Sequence, residues 1–113
     1  MSMSIKRVYE HPELSDGYRV LVDRLWPRGV AKANASADLW LREIGPSDEL
    51  RKWFGHVPER FAEFATKYRA ELDDNAAVDE LREVIASHDS VTLVYSAKDE
   101  EHNQAVVLAG YLG

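Results

Sequence analysis

The 113-residue sequence contains no cysteine. That absence excludes a disulfide framework, a zinc-thiolate centre, an iron–sulfur cluster and any cysteine nucleophile, and it points to a reducing cytosol as the expected compartment. Long apolar runs are missing too. The longest, residues 105–112, is far short of the ~18 to 20 residues that a membrane span requires, so no membrane association is expected. Residues 1–4 are polar and lead directly into an alternating segment at 5–9, so no export leader is expected. There is no Walker loop, no Gly-x-Gly-x-x-Gly and no Gly-x-Ser-x-Gly, which removes the common nucleotide and hydrolase signatures.

Positive charge is in short supply overall, with 14 Lys and Arg against 20 Asp and Glu for a formal charge of -6. The deficit is uneven. Residues 1–42 carry seven basic and five acidic side chains, whereas residues 43–113 carry seven and fifteen. Most of the acid falls in helix-like segments, where it reads as a solvated face. Hydrophobic content of 45% argues against disorder. A chain of this length is expected to form one domain, burying between about 60% and about 70% of the surface of its unfolded state.

Hydrophobic patterning gives the order of elements. Residues 5–9 alternate and predict a first strand, ended by His11-Pro12 and the turn-prone Ser15-Asp16-Gly17. Residues 18–23 are richer in apolar and β-branched side chains and predict a more central strand, stopped by Pro27 and Gly29. Residues 37–43 fit either a strand, through the alternation of Leu39 and Leu41, or a short helix capped by Ser36; the strand is preferred.

The period then changes. Ser47 is placed to cap a short helix carrying Leu50, Trp53 and Phe54 and closed by Gly55. Pro58 suits the first turn of a longer helix with Phe61, Phe64, Ala65, Tyr68 and Leu72 on one stripe, and Asn75 suits the cap of a third with Val78, Leu81 and Ile85. Trp40 and Trp53 lie in apolar patterns and are expected in the core. Residues 90–95 read as a strand buried on both faces, and Asp99 as the N-cap of a terminal helix over 100–112. The expected architecture is a single α/β domain, a small, partly parallel sheet of about four strands with helices packed on it and the last strand followed by the last helix.

Open α/β sheets bind ligands beyond the carboxyl ends of their strands. Two segments hold such positions, 23–28 and 98–103, and they share an edge if their strands are parallel. The first supplies Arg24 and Arg28 for bidentate contact with carboxylate or phosphate, and Trp26 as a flat wall. An alternative pairs Asp23 with Arg24 or Arg28 and buries Trp26. The second supplies Lys98 and Asn103, while its carboxylates oppose an anion at the helix start. Asp23, Asp99 and His102 are the candidates for proton handling, His102 because imidazole exchanges protons near neutrality. Asp99, Glu100 and Glu101 with His102 and Asp23 also fit an oxygen-rich divalent metal site, the metal being left open. His11, His56 and His88 have no ligand-like spacing.

Four ordered motifs, DGYRVLVDRLWPRG at 16–29, DLWL at 38–41, LRKWF at 50–54 and KDEEHN at 98–103, resemble the YeaO-like family of small bacterial proteins, which belongs to a domain-of-unknown-function group. The resemblance implies an α/β fold. It also implies that wider relatives carry a cysteine after the last strand and a Cys-His pair in the following helix; the corresponding places here are Tyr95 or Ser96 and Asn103-Gln104, so thiol chemistry is not expected. Val57 stands where a capping Asp is expected, a departure that concerns stability.

The expected function is binding of an anionic or nucleotide-like small molecule between the two loops, with an enzyme role open. Nucleic-acid binding through the basic 19–28 region is disfavoured by the net charge. The third alternative is an interaction domain without catalysis. No cofactor and no oligomeric state is assigned.

Overall fold

The β-favouring run at 90–95 is flanked by a strand on each side, which satisfies its backbone hydrogen-bonding groups along both edges. The computed structural model describes residues 2–113, and its single sheet contains β1 (Ser2–Arg7), β2 (Tyr18–Leu21), β3 (Leu39–Trp40) and β4 (Ser90–Tyr95) in the order β1-β4-β2-β3. Every pairing is parallel, with Leu93 of β4 opposite both Ile5 of β1 and Val20 of β2. The expected parallel pairing therefore extends through all four strands.

Side chains alternate between its two faces. Val20, Val91, Leu93 and Tyr95, with Val22 just beyond β2, point into the larger core. That core is completed by α2 (Asp48–Phe54), α3 (Phe61–Asp73), α4 (Ala77–Ala86) and α5 (Gln104–Leu112), through Phe54, Phe64, Tyr68, Leu72, Leu81 and Leu108. Leu21 and Val94 point the other way, against Val8, Trp26, Val30, Trp40 and Ala35 of the single-turn α1 (Lys32–Ala35). One face is thus covered by helices and the other largely by loops.

Several local expectations change. The 37–43 segment is a strand only at Leu39–Trp40 and then tightens into a 3-10 turn, Arg42–Ile44. Ser36 does not start a helix there. It ends α1 in the left-handed region, with φ 48°. Asp99 does not cap the terminal helix, which starts later, at Gln104; Asn103 has the extended backbone of an N-cap, and its Oδ1 accepts from Val106 N at 3.0 Å. Trp53 lies half-buried at the surface beneath Lys67 Nζ, 4.2 Å from its ring centroid, and Trp40 is half-buried on the loop-covered face.

Other signals act as expected. Ser47 Oγ accepts from Leu50 N at 3.2 Å to open α2, and Gly55, with φ 51°, closes it. Pro58 opens a 3-10 turn leading into α3, and Asn75 Oδ1 accepts from Ala77 N at 2.9 Å. No helix among the described residues is long and apolar enough to cross a membrane.

Candidate functional site

Because β2 and β4 are adjacent and parallel, the chain leaves both at one edge. The Val22 amide extends the pairing to Val94 O at 3.0 Å, and Asp23 follows immediately. Its side chain joins the two exits. Asp23 Oδ2 accepts from the Ser96 amide at 3.0 Å, and Oδ1 accepts from Gln104 Nε2. Asp23 pairs with neither Arg24 nor Arg28. Burial pushes its carboxyl above the ordinary range, opposed by the hydrogen bonds from Ser96 and Gln104.

Beyond Asp23 opens a cavity of about 550 Å³. The 23–28 loop forms one wall and Ser96, Ala97 and Gln104 another, while the end of α2 with Gly55 and His56 forms a third. The lining includes Arg24, Arg28, Arg51 and Lys52, four cations against the single carboxylate of Asp23. A chain of net charge -6 therefore concentrates positive charge at this edge.

The cations are not equivalent. Arg24 is committed to the fold: Nε donates to Pro46 O and Nη2 to Gly45 O, each at 2.9 Å. Gly45 allows that approach, because a Cβ there would lie 2.9 Å from the Arg24 amide nitrogen. Arg51 Nη2 reaches Asp48 Oδ1 at 3.2 Å, while its Nε is buried with no hydrogen-bond partner among the described residues. Arg28 and Lys52 are exposed, and their side chains make no ion pair among the described residues. Trp26 stiffens the loop, its Nε1 donating to Val30 O at 2.6 Å and its ring meeting Trp40 edge-on at 5.3 Å. Trp40 Nε1 in turn donates to Asp23 O at 2.8 Å. His56, at the mouth, has φ 58°, a rare conformation for a residue with a side chain.

Lys98, Asp99, His102 and Asn103 do not line this cavity. Asp99 Oδ1 accepts from the Glu101 and His102 amides, at 2.9 and 3.0 Å, and Oδ2 lies 2.9 Å from His102 Nδ1. A carboxylate only accepts, so Nδ1 carries the proton in this pair. Those hydrogen bonds, led by that from Glu101, hold the Asp99 carboxyl below its ordinary range. His102 also meets Phe61 edge-on at 5.1 Å. Asn103 Nδ2 donates to Asp99 O at 2.8 Å and the residue is buried, so it is a helix cap with no free face for a ligand. The oxygen-rich metal arrangement is not assembled: among the described residues no three His, Asp or Glu converge as a metal site.

Arg51, Lys52, His56 and Gln104 are among the cavity residues that the sequence did not single out as site candidates. Arg51 and Lys52 stand inside the LRKWF motif, and only the packing of α2 brings them to this edge. A family model described as "Inactive DUF488-N3 subclade", DUF488-N3i, matches residues 2–113. The chain belongs to the DUF488-N3i family. This DUF488-N3i chain is similar to a protein of Escherichia coli K12 named Uncharacterized protein YeaO, at 46% identity over 99% of this chain and 97% of that one. It is also similar to Uncharacterized protein Rv3073c of Mycobacterium tuberculosis H37Rv, at 44% identity over 96% of this chain and 91% of that one. No solved structure matches.

Proposed function

We propose that this DUF488-N3i protein is a cytosolic binding module for a small anionic molecule, held in the cavity between the 23–28 loop and the end of α2. The observation that carries the reading is the local excess of cations, Arg24, Arg28, Arg51 and Lys52 against Asp23, at the carboxyl edge of a parallel sheet. The volume of about 550 Å³ lies within the range of about 300 to 1,000 Å³ common for small-molecule sites. Binding without turnover fits the family's description as an inactive subclade. Asp23, Arg28, Arg51 and Lys52 form the proposed contact set, with Trp26 holding the loop and Arg24 supplying field from its fixed position. The Asp99–His102 pair and Lys98 lie outside that set.

A thermal-shift screen of the purified chain against nucleotides and phosphorylated metabolites tests the reading, since a ligand that binds only the folded state raises Tm. Stabilisation by at least one anionic compound, lost when Arg28 and Lys52 are both changed to Ala, is the expected outcome. If no anion shifts the parent, or if the double variant keeps every shift, the reading is wrong. The nucleic-acid alternative draws less support. Arg19 is buried against Asp16, and Arg24 is held by two carbonyls, so of the basic run only Arg28 has a guanidinium that is neither held by carbonyls nor in an ion pair among the described residues.

A further inference from the structure

The polar groups of the cavity make two demands that a simple anion does not meet together. On one side Arg28 and Lys52 make no ion pair among the described residues, and Arg51 lines the wall beside them. A ligand oxygen placed there gains charge-assisted hydrogen bonds from these side chains. On the other side lies Asp23, 6% exposed. Its oxygens accept from the Ser96 amide, the Ser96 side chain and Gln104. A carboxylate has about four acceptor positions, so about one remains for a ligand donor. Inorganic phosphate would meet the first demand and be repelled by the second.

The ligand must therefore carry an anion at one end and a hydrogen-bond donor at the other. A neutral donor suits Asp23 better than an ammonium group, because the four cations of the lining would repel added positive charge. A dianionic tetrahedral group suits two guanidinium groups and an ammonium, which offer forked and point-charge contacts to its several oxygens. We propose that the cavity takes a phosphorylated sugar, free or as the sugar-phosphate of a nucleotide, with the phosphate at Arg28, Arg51 and Lys52 and a sugar hydroxyl donating to Asp23. This inference rests on the anion-binding reading and specifies its ligand class.

Calorimetric titration of the full chain with ribose 5-phosphate, propyl phosphate and adenosine monophosphate tests it. Ribose 5-phosphate is expected to bind about tenfold tighter than propyl phosphate or better, as hydrogen bonds to a charged acceptor allow. Asp23→Asn should remove most of that preference while propyl phosphate still binds. Equal affinities of the two compounds for the parent protein would overturn the sugar assignment yet leave anion binding intact, and this comparison does not depend on the variant folding. Failure of all three to bind would instead remove the anion reading itself. Given the sugar preference, tighter binding of adenosine monophosphate than of ribose 5-phosphate would identify a nucleotide as the source, and the reverse order a free sugar phosphate; both retain the hydroxyl contact at Asp23.

Discussion

Arg19 and Arg28 lie in one short stretch of chain and meet opposite fates. Arg19 is buried on the loop-covered face of the sheet, where Nη1 reaches Asp16 Oδ2 at 2.5 Å, Nη2 reaches Ala35 O at 2.9 Å and Nε reaches Ser36 O at 3.0 Å. Asp16 also takes Lys6 Nζ at 3.1 Å and the Glu13 amide at 3.0 Å. Every charge there has a fixed partner. Arg28, at the carboxyl edge, is exposed and shares its cavity with a carboxylate that is held in place by an amide and by Gln104 rather than by a cation. The lesson is that the availability of an arginine depends on the backbone carbonyls and carboxylates around it, not on its residue type. A closed cluster serves the fold; an open one is available for binding.

The largest expected effect breaks the closed side. Asp16→Ala leaves Arg19 buried without its carboxylate and should cost about 3 kcal/mol or more in urea denaturation. A loss below about 0.5 kcal/mol, the range of ordinary surface changes, would show that the cluster is not a buried unit. Next is Gly45→Ala, which drives a methyl group to 2.9 Å from the Arg24 amide nitrogen. It should destabilise by about 1–3 kcal/mol, as overpacking does, and weaken phosphate binding by displacing the 23–28 loop. Unchanged stability and affinity would show that the loop does not depend on this approach.

The two aspartates also give opposite pH signatures. Burial acts to raise the Asp16 carboxyl, but the Glu13 amide, Lys6 and Arg19 outweigh it and hold the folded value below the ordinary one. Its contribution to stability is therefore complete above ~3.9 and lost as pH falls through the lowered value. Asp23 is raised by burial, so its contribution is complete below ~3.9 and lost as pH rises through the folded value. In denaturation series across acidic pH, Asp16→Asn should flatten the low-pH loss and Asp23→Asn should flatten the loss on its high-pH side. Changes of the same sign in both variants would refute the contrast.

The smallest stability effects sharpen the open side. Arg28→Ala and Lys98→Ala should each change stability by no more than about 0.5 kcal/mol, because both side chains are exposed and free of ion pairs among the described residues. Only Arg28→Ala should weaken binding of a phosphate compound, measured by titration. Equal weakening by Lys98→Ala would place the site nearer α5 than the cavity indicates.

Much of the architecture was legible because its signals are local. The stripe of Phe64, Tyr68 and Leu72 has the helical period, and Ser47 and Gly55 bound α2 by capping chemistry that depends on a few neighbouring residues. The run at 90–95 is short and almost uninterrupted in β-favouring residues, and a strand so composed reads as central. Boundaries were harder. Asp99 and Asn103 are both competent caps, and the choice of Asn103 depends on where the chain turns after Ser96. The site was legible in part. The 23–28 loop was visible through its composition, whereas nothing local in the LRKWF motif ties Arg51 and Lys52 to that loop.

By itself, the sequence determined the kinds of element, their order and the chemistry excluded by the absence of cysteine, because propensity, periodicity and composition act over short stretches of chain. Tertiary structure alone decided which charges face one another. Coulomb and hydrogen-bond energies depend on distance and burial, and the contact between Asp23 and Gln104, far apart in sequence, exists only because β2 and β4 lie side by side. The same pairing leaves Arg28 open while the loop-covered face closes on Arg19.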